Sequence, residues 1–362
     1  MNLSVKIGDK IELENPLMPA SGPLVSDARK ILSLASQGLG ALVSKTISSK
    51  AAPVPHPCII GGKDYLINAE LWSEYPPEKW VVEFLPQINE TLQQPLIISL
   101  GYRQDEIVSL IKRVEPFATA FELSTHYVGT DLSPIAKTVK AASEATQKPV
   151  FIKLSPHITD PAAFAQMVKD NGGYGIVAIN SVGPTYPLNL KRGQSPLGSK
   201  GGLGWISGPV IKPIALSRIK LITDSVDIPV IGVGGIKNAE DVLEFICAGA
   251  SAVQMLSAAM LYGKDLYSKI IEDLPKKMEQ YGYQDLISLR GQSKDKNTEI
   301  RFETGYPAVN HEICTHCGIC VRSCPYDALS FDNKKVVLDQ SNCFQCGLCE
   351  SRCPVNAIQG VL

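Results

Sequence analysis

A chain of 362 residues, 44% of them apolar, is long enough for one large domain with an appendage and can bury a sizeable core. Its formal net charge of −1 excludes a general attraction to nucleic acid or anionic lipid. The opening stretch MNLSVKIGDKIEL has no apolar signal-peptide core, and no run of about eighteen apolar residues follows it, so a cytoplasmic protein with no membrane span is expected.

Up to about residue 310 the chain alternates short apolar runs with amphipathic stretches. The runs are PLMPA (16–20), ALVSK (41–45), PLIISL (95–100), TAFELS (119–124), PVFIKLS (149–155), GIVAINS (175–181), PVIGVGG (229–235) and AVQMLS (252–257). They are rich in Val, Ile and Leu without alternating polar residues, which predicts strands buried on both faces, as in a parallel sheet. Helical patterns lie between them: DEIVSLIKRVEPF, PAAFAQMVKDNG, IKPIALSRIKLITD and AEDVLEFICAG. In the second and fourth, apolar residues recur at three- and four-residue steps and a Gly closes the helix. Eight such strands over about 250 residues predict a (β/α)₈ TIM barrel, spanning 1–283, over a doubly wound open sheet. Two stretches, 46–94 and 182–210, read as long loops after strand C-terminal ends, where barrel enzymes place their chemistry.

Some residues at the predicted strand ends carry chemical possibilities. GVGGI (232–236) closes the seventh strand, and Leu256 and Ser257 close the eighth. Glycines there either let backbone N–H groups approach phosphate oxygens or simply make a turn. Lys45 ends the second strand and Lys153 the fifth, so both point to the barrel mouth. A buried lysine needs an anionic partner, either Glu122 or a bound anion such as a reduced flavin.

A polar linker is predicted over 284–308, followed by a small domain over 309–362. This domain holds CTHCGICVRSCP and CFQCGLCESRCP, each C-x₂-C-x₂-C-x₃-C-P, the run that ligates two [4Fe–4S] clusters. Three thiolates of each run sit on one tight loop, and the fourth serves the cluster of the other half. Cys314, Cys317, Cys320 and Cys353 are assigned to one cluster, and Cys343, Cys346, Cys349 and Cys324 to the other. Gly318 and Gly347 leave the loops room to bend, and Pro325 and Pro354 turn the chain away. Two repeats with the Pro argue against a zinc ribbon or disulfides. The domain is too small for much core, so the clusters are expected to supply its stability. Of the 10 cysteines, only Cys58 and Cys247 fall outside the runs, which is thiolate usage in a reducing compartment.

At PASGP (19–23), SKT (44–46), NAELW (68–72), FEL (121–123), IKLSP (152–156), AINS (178–181), SGPVIKPIAL (207–216), IGVGGI (231–236) and VQMLSAA (253–259) the chain resembles the dihydroorotate dehydrogenase family of FMN-dependent barrels. With the double-cluster domain added, the resemblance is closest to the C-terminal part of dihydropyrimidine dehydrogenase and its bacterial stand-alone subunit. It implies that Ala20, Ser21 and Gly22 lie along one FMN edge. Lys45 and Thr46 would contact the ring, and Lys153 would neutralise charge on its reduced form. Asn180 and Ser181 would face ring and substrate, Ser207 and Gly208 the ribityl chain, and Gly234, Gly235, Leu256 and Ser257 the phosphate. Asn68 matches an asparagine that binds a pyrimidine.

The departures shape the expected chemistry. The family reads E-L-N-x-S-C-P-N after its fourth strand, with a Cys or Ser as acid/base. Here Glu122-Leu123-Ser124-Thr125-His126-Tyr127-Val128-Gly129 has no cysteine. Ser124 replaces the cofactor-side Asn, and either Tyr127 or His126 falls at the acid/base position. His titrates nearest neutrality. Trp72 and Tyr127 beside the substrate suggest a flatter or more apolar molecule than dihydroorotate or uracil. Cys58 is expected to be a small buried filler rather than a displaced acid/base.

The expected activity is FMN- and iron–sulfur-dependent oxidoreduction of a C–C or C=C bond. A hydride passes between the flavin and one carbon, and a side chain in 124–129 handles the proton. Electrons pass singly through the clusters to a partner protein, either an FAD/NAD(P)H reductase subunit or a ferredoxin, since no G-x-G-x-x-G follows a strand. The alternatives are a dihydropyrimidine or dihydroorotate dehydrogenase proper with a displaced acid/base, or an electron-transfer subunit without its own substrate. The charge balance argues against an RNA-reducing flavin barrel. The resemblance implies a homodimer. Anaerobically isolated protein is expected to carry about eight irons per chain, the number two cubanes require, by colorimetric iron assay.

Overall fold

The computed structural model describes residues 1–101, 103–125, 129–293 and 305–362. The chain divides into two units, Met1–Lys296 and Asn297–Leu362.

In the first unit each apolar run becomes a strand because both of its faces find apolar cover. The strands are β1 (Leu17–Pro19), β2 (Leu42–Val43), β3 (Leu96–Leu100), β4 (Ala120–Leu123), β5 (Val150–Leu154), β6 (Gly175–Ala178), β7 (Val230–Val233) and β8 (Ala252–Met255). Every residue of all eight is buried. They form one parallel sheet in the order β1-β8-β7-β6-β5-β4-β3-β2. The gap between β2 and β1 is bridged by the Gly40 N–H, which donates to the Leu17 carbonyl at 2.9 Å. That approach needs glycine, since a Cβ at Gly40 would lie 2.0 Å from the Asn15 carbonyl oxygen. The nearly closed sheet is the TIM barrel that the spacing predicted. Helices between the strands, such as Gln104–Val114, Pro161–Asp170 and Ala239–Cys247, turn buried faces to it. Asp160 and Asn238 cap two of them, accepting from Ala163 and Asp241 N–H groups.

The two stretches read as loops are not simply loops. Ile59–Gly61, Leu66–Asn68, Val182–Thr185 and Gly204–Ser207 form a four-stranded antiparallel sheet, and Pro77–Thr91 is helical. The sheet's central pairing sets Asn68 opposite Trp205 and Leu66 opposite Ser207. Strands of three or four residues carry too little periodicity to be seen locally, and their partner is an insertion well over a hundred residues away. The helix Leu286–Leu289 buries Leu286 and Leu289 in the barrel core.

The second unit has two short helices, Ile319–Ser323 and Leu348–Ser351, each starting at a left-handed glycine, Gly318 (φ 68°) and Gly347 (φ 79°). Four further left-handed residues recur in pairs at matching places in the two halves, His316 with Gln345 and Asp327 with Asn356, while Asn333 and Lys334 make the turn between two short strands. Its apolar core is small: Cys320, Leu329, Val336 and Ile358 cluster together, with Ala328 and Ala357 also buried. No helix among the described residues is long and apolar enough to cross a membrane.

Candidate active site

The C-terminal ends of the barrel strands open into a cavity of about 310 Å³, within the range of small-molecule sites. Parallel strands all end on this side, so residues distant in the chain meet here. Ala20, Ser21 and Gly22 come from the end of β1, Lys45 and Thr46 from beyond β2, Ser124 from beyond β4, and Lys153 from within β5. Asn180 and Ser181 follow β6, Gly234 and Gly235 follow β7, and Leu256 and Ser257 follow β8. The antiparallel sheet adds Asn68, Trp205, Ser207 and Gly208, and Trp72 follows it. All fifteen cofactor-side positions from β1, β2, β4–β8 and the insertions thus line one space. His126 and Tyr127 lie outside the described residues. Cys58 does not line the cavity.

The charged groups are paired. Lys153 Nζ, with its side chain 7% exposed, donates to Glu122 Oε1 at 2.9 Å, and Glu122 is wholly buried. Gln254 Nε2 donates to the other Glu122 oxygen at 2.7 Å. That bond orients the carboxamide, leaving Gln254 Oε1 buried in the cavity wall without a hydrogen-bond partner among the described residues. Lys45 Nζ donates to Glu74 Oε2 at 2.7 Å and lies 3.6 Å from Glu70 Oε2. Burial pushes the Glu74 carboxyl up, but bonds from Lys45, the backbone and Ser26 outweigh it and hold the group below the usual carboxylate range. Sequence reasoning had named Glu122 as a partner for Lys153. It had not connected Glu70 or Glu74 with Lys45, nor found Gln254, which sits inside an apolar run with no polar neighbour to mark it.

Hydroxyls link the rest of the wall. Ser21 Oγ is 3.0 Å from Thr46 Oγ1, which is 2.8 Å from Ser99 Oγ, and Ser207 Oγ is 2.8 Å from Ser257 Oγ. Gly234 and Gly235 have φ of 123° and 98°. A Cβ at Gly235 would meet Lys212 backbone atoms at 2.7 Å, so the turn admits only glycine. Bare backbone N–H groups at that end suit an anionic group, and the orphaned Gln254 oxygen calls for a donor from a ligand. A phosphate-bearing ring with its own N–H fits this wall.

In the second unit Cys314, Cys317, Cys320 and Cys353 line one cavity, and Cys324, Cys343, Cys346 and Cys349 another. Each set is three thiols from one run and the fourth from the other. No three His, Cys, Asp or Glu among the described residues converge as they would on a single metal ion, whereas ligands of a cluster ring a larger object. Backbone N–H groups already reach sulfur, Gln345 to Cys343 at 3.4 Å and Ala357 to Cys353 at 3.1 Å.

Comparison with known proteins agrees with both halves. The profile described as dihydroorotate dehydrogenase matches residues 2–278, and that described as 4Fe-4S dicluster domain matches 313–357. The dihydroorotate dehydrogenase B (NAD(+)) catalytic subunit of Methanothermobacter thermautotrophicus is 31% identical over 297 residues, covering 79% of this chain and 96% of that protein. The subunit of the same name from Pyrococcus horikoshii is 31% identical over 292 residues, covering 78% and 94%. That of Bacillus pumilus is 32% identical over 299 residues, again 78% and 94%. These relatives are matched almost whole, while about a fifth of this chain lies outside the match.

The buried pair has a measurable consequence. Glu122→Leu leaves Lys153 unpaired inside the barrel and is expected to lower stability by about 3–5 kcal/mol, with the double variant Glu122→Leu/Lys153→Met recovering most of it, by denaturant unfolding.

Proposed function

The chain belongs to the dihydroorotate dehydrogenase family, and from that premise we propose that it oxidises or reduces a C–C/C=C bond of a substrate other than ordinary dihydroorotate and exchanges the electrons with a separate protein. It is an oxidoreductase acting on CH–CH groups, and its cofactors are FMN and two [4Fe–4S] clusters. When bound, FMN supplies two-electron chemistry at a carbon centre together with one-electron exchange with the clusters. The single observation that carries the reading is the meeting, in one cavity, of two carboxylate-paired lysines with a glycine turn that admits no side chain.

The residues divide the work as follows. Backbone N–H groups at Gly234, Gly235, Leu256 and Ser257 hold the phosphate, and Ser207 and Gly208 hold the ribityl chain. Ala20, Ser21, Gly22, Thr46 and Ser124 fix the ring's edge. Lys153 offsets negative charge on the ring. Glu122 and Gln254 hold that ammonium in place, so no reorganisation is needed as charge develops. Lys45 would contact the ring, its ammonium kept in the cavity by Glu74 and Glu70. Asn180, Ser181, Asn68 and Trp72 orient the substrate. The proton is moved by His126 or Tyr127 in the stretch 124–129, with His126 favoured because imidazole titrates near neutrality.

The clusters follow the barrel in one chain, which supports the likeness to the C-terminal part of dihydropyrimidine dehydrogenase and a division of labour with a reductase subunit or ferredoxin. The relatives are named as NAD(+) enzymes and as catalytic subunits; here no nicotinamide-binding fingerprint follows a strand. A cytoplasmic homodimer completes the proposal.

Two variants test it. Gly235→Ala is expected to lose most bound flavin while keeping its iron, read from absorbance after denaturation and iron assay. Retained flavin would remove the phosphate assignment. His126→Gln is expected to keep its flavin and slow the half-reaction with substrate by about 10²-fold or more in stopped flow. Unchanged kinetics would move the proton to Tyr127 or elsewhere.

A further inference from the structure

The substrate end of the cavity has an unusual charge arrangement, centred on Glu70. Its side chain is 12% exposed and lines the cavity. Its backbone N–H donates to Asn68 Oδ1 at 2.7 Å, and Asn68 Nδ2 reaches its Oε2 at 3.3 Å. Both halves of the Asn68 carboxamide are therefore engaged by Glu70. Lys45 is shared, since the same Glu70 oxygen is 3.6 Å from Nζ while Glu74 takes the short 2.7 Å bond. Among the described residues, Glu70 Oε1 makes no hydrogen bond.

The only lysines or arginines among the described residues lining the cavity are Lys45 and Lys153, and each is held by carboxylates, Lys45 by two of them. A substrate arriving with its own carboxylate meets Glu70 with no ammonium free to balance it. A substrate arriving with a cationic or N–H-bearing group meets an acceptor oxygen already in place. Leu71, Trp72 and Trp205 line the same cavity and give it apolar, flat surface. Beside a carboxylate this little exposed a like-charge contact is costly, and discrimination by repulsion is as effective as discrimination by attraction.

We propose that Glu70 determines specificity by charge: it accepts a flat substrate bearing a cationic or N–H donor group at this end of the cavity and excludes one bearing a carboxylate there. This rests on the proposed function for the location of the substrate, and it replaces a list of departures from the family with one chemical criterion.

Benzamidine and benzoate test it, being flat and nearly the same shape with opposite charge. Each is titrated calorimetrically into flavin-loaded wild-type protein and Glu70→Gln, with the flavin content of every sample measured. Wild type is expected to favour benzamidine by at least about tenfold, and Glu70→Gln to erase that preference by weakening benzamidine and strengthening benzoate. Equal affinities in wild type, an unchanged preference in the variant, or failure of both probes to bind at millimolar concentration would each overturn the inference. Flavin-free wild-type protein would instead defeat the proposed function, so the two failures are told apart.

Discussion

Two ammonium groups are held inside the mouth of an apolar barrel, and the site depends on how they are tolerated there. A lone charge at that depth would cost more than the fold has to spare. Lys153 is kept by Glu122, itself wholly buried and steadied by Gln254, and Lys45 by Glu74 and Glu70. Glu122 sits on the strand beside that of Lys153, so that pair is set by the sheet itself. The same arrangement sets the polarity of the substrate end, where carboxylates outnumber the lysine they surround.

The second unit meets a different constraint. A handful of buried apolar residues cannot hold some sixty in place by apolar burial alone, so its order must come from what its thiols bind. The backbone prepares for this with left-handed residues at matching positions of both halves, and N–H groups turned toward sulfur. Non-glycine residues in that region store strain, and His316, Asp327, Gln345 and Asn356 fall beside the ligand loops.

Much of this was legible in the chain. Eight β-branched, non-alternating runs specify a parallel sheet because burial on both faces leaves no other pattern. The cysteine spacing fixes which thiols can share a loop, and the crossing of the fourth cysteine between halves is what the two cavities display. Glycines at 234 and 235 were readable as either a turn or a cradle, and the two are compatible, since the turn admits no side chain and so leaves the backbone bare.

What the sequence by itself determined, then, is local in origin: strand number from burial pattern, ligand sets from spacing, the lysines from their place at strand ends. What only the tertiary structure decided is pairing at a distance. The strands 59–61, 66–68, 182–185 and 204–207 are too short to show a period, and they become a sheet only when two insertions meet. Glu74 and Gln254 are unremarkable in their own segments, and acquire roles because closing the barrel sets them beside Lys45 and Glu122. Asn68 lines the cavity, and its carboxamide is also bonded to Glu70, two residues on, in a turn whose geometry no composition or spacing could announce. Electrostatic partnership falls with distance in space, and distance in space is what a linear chain does not record.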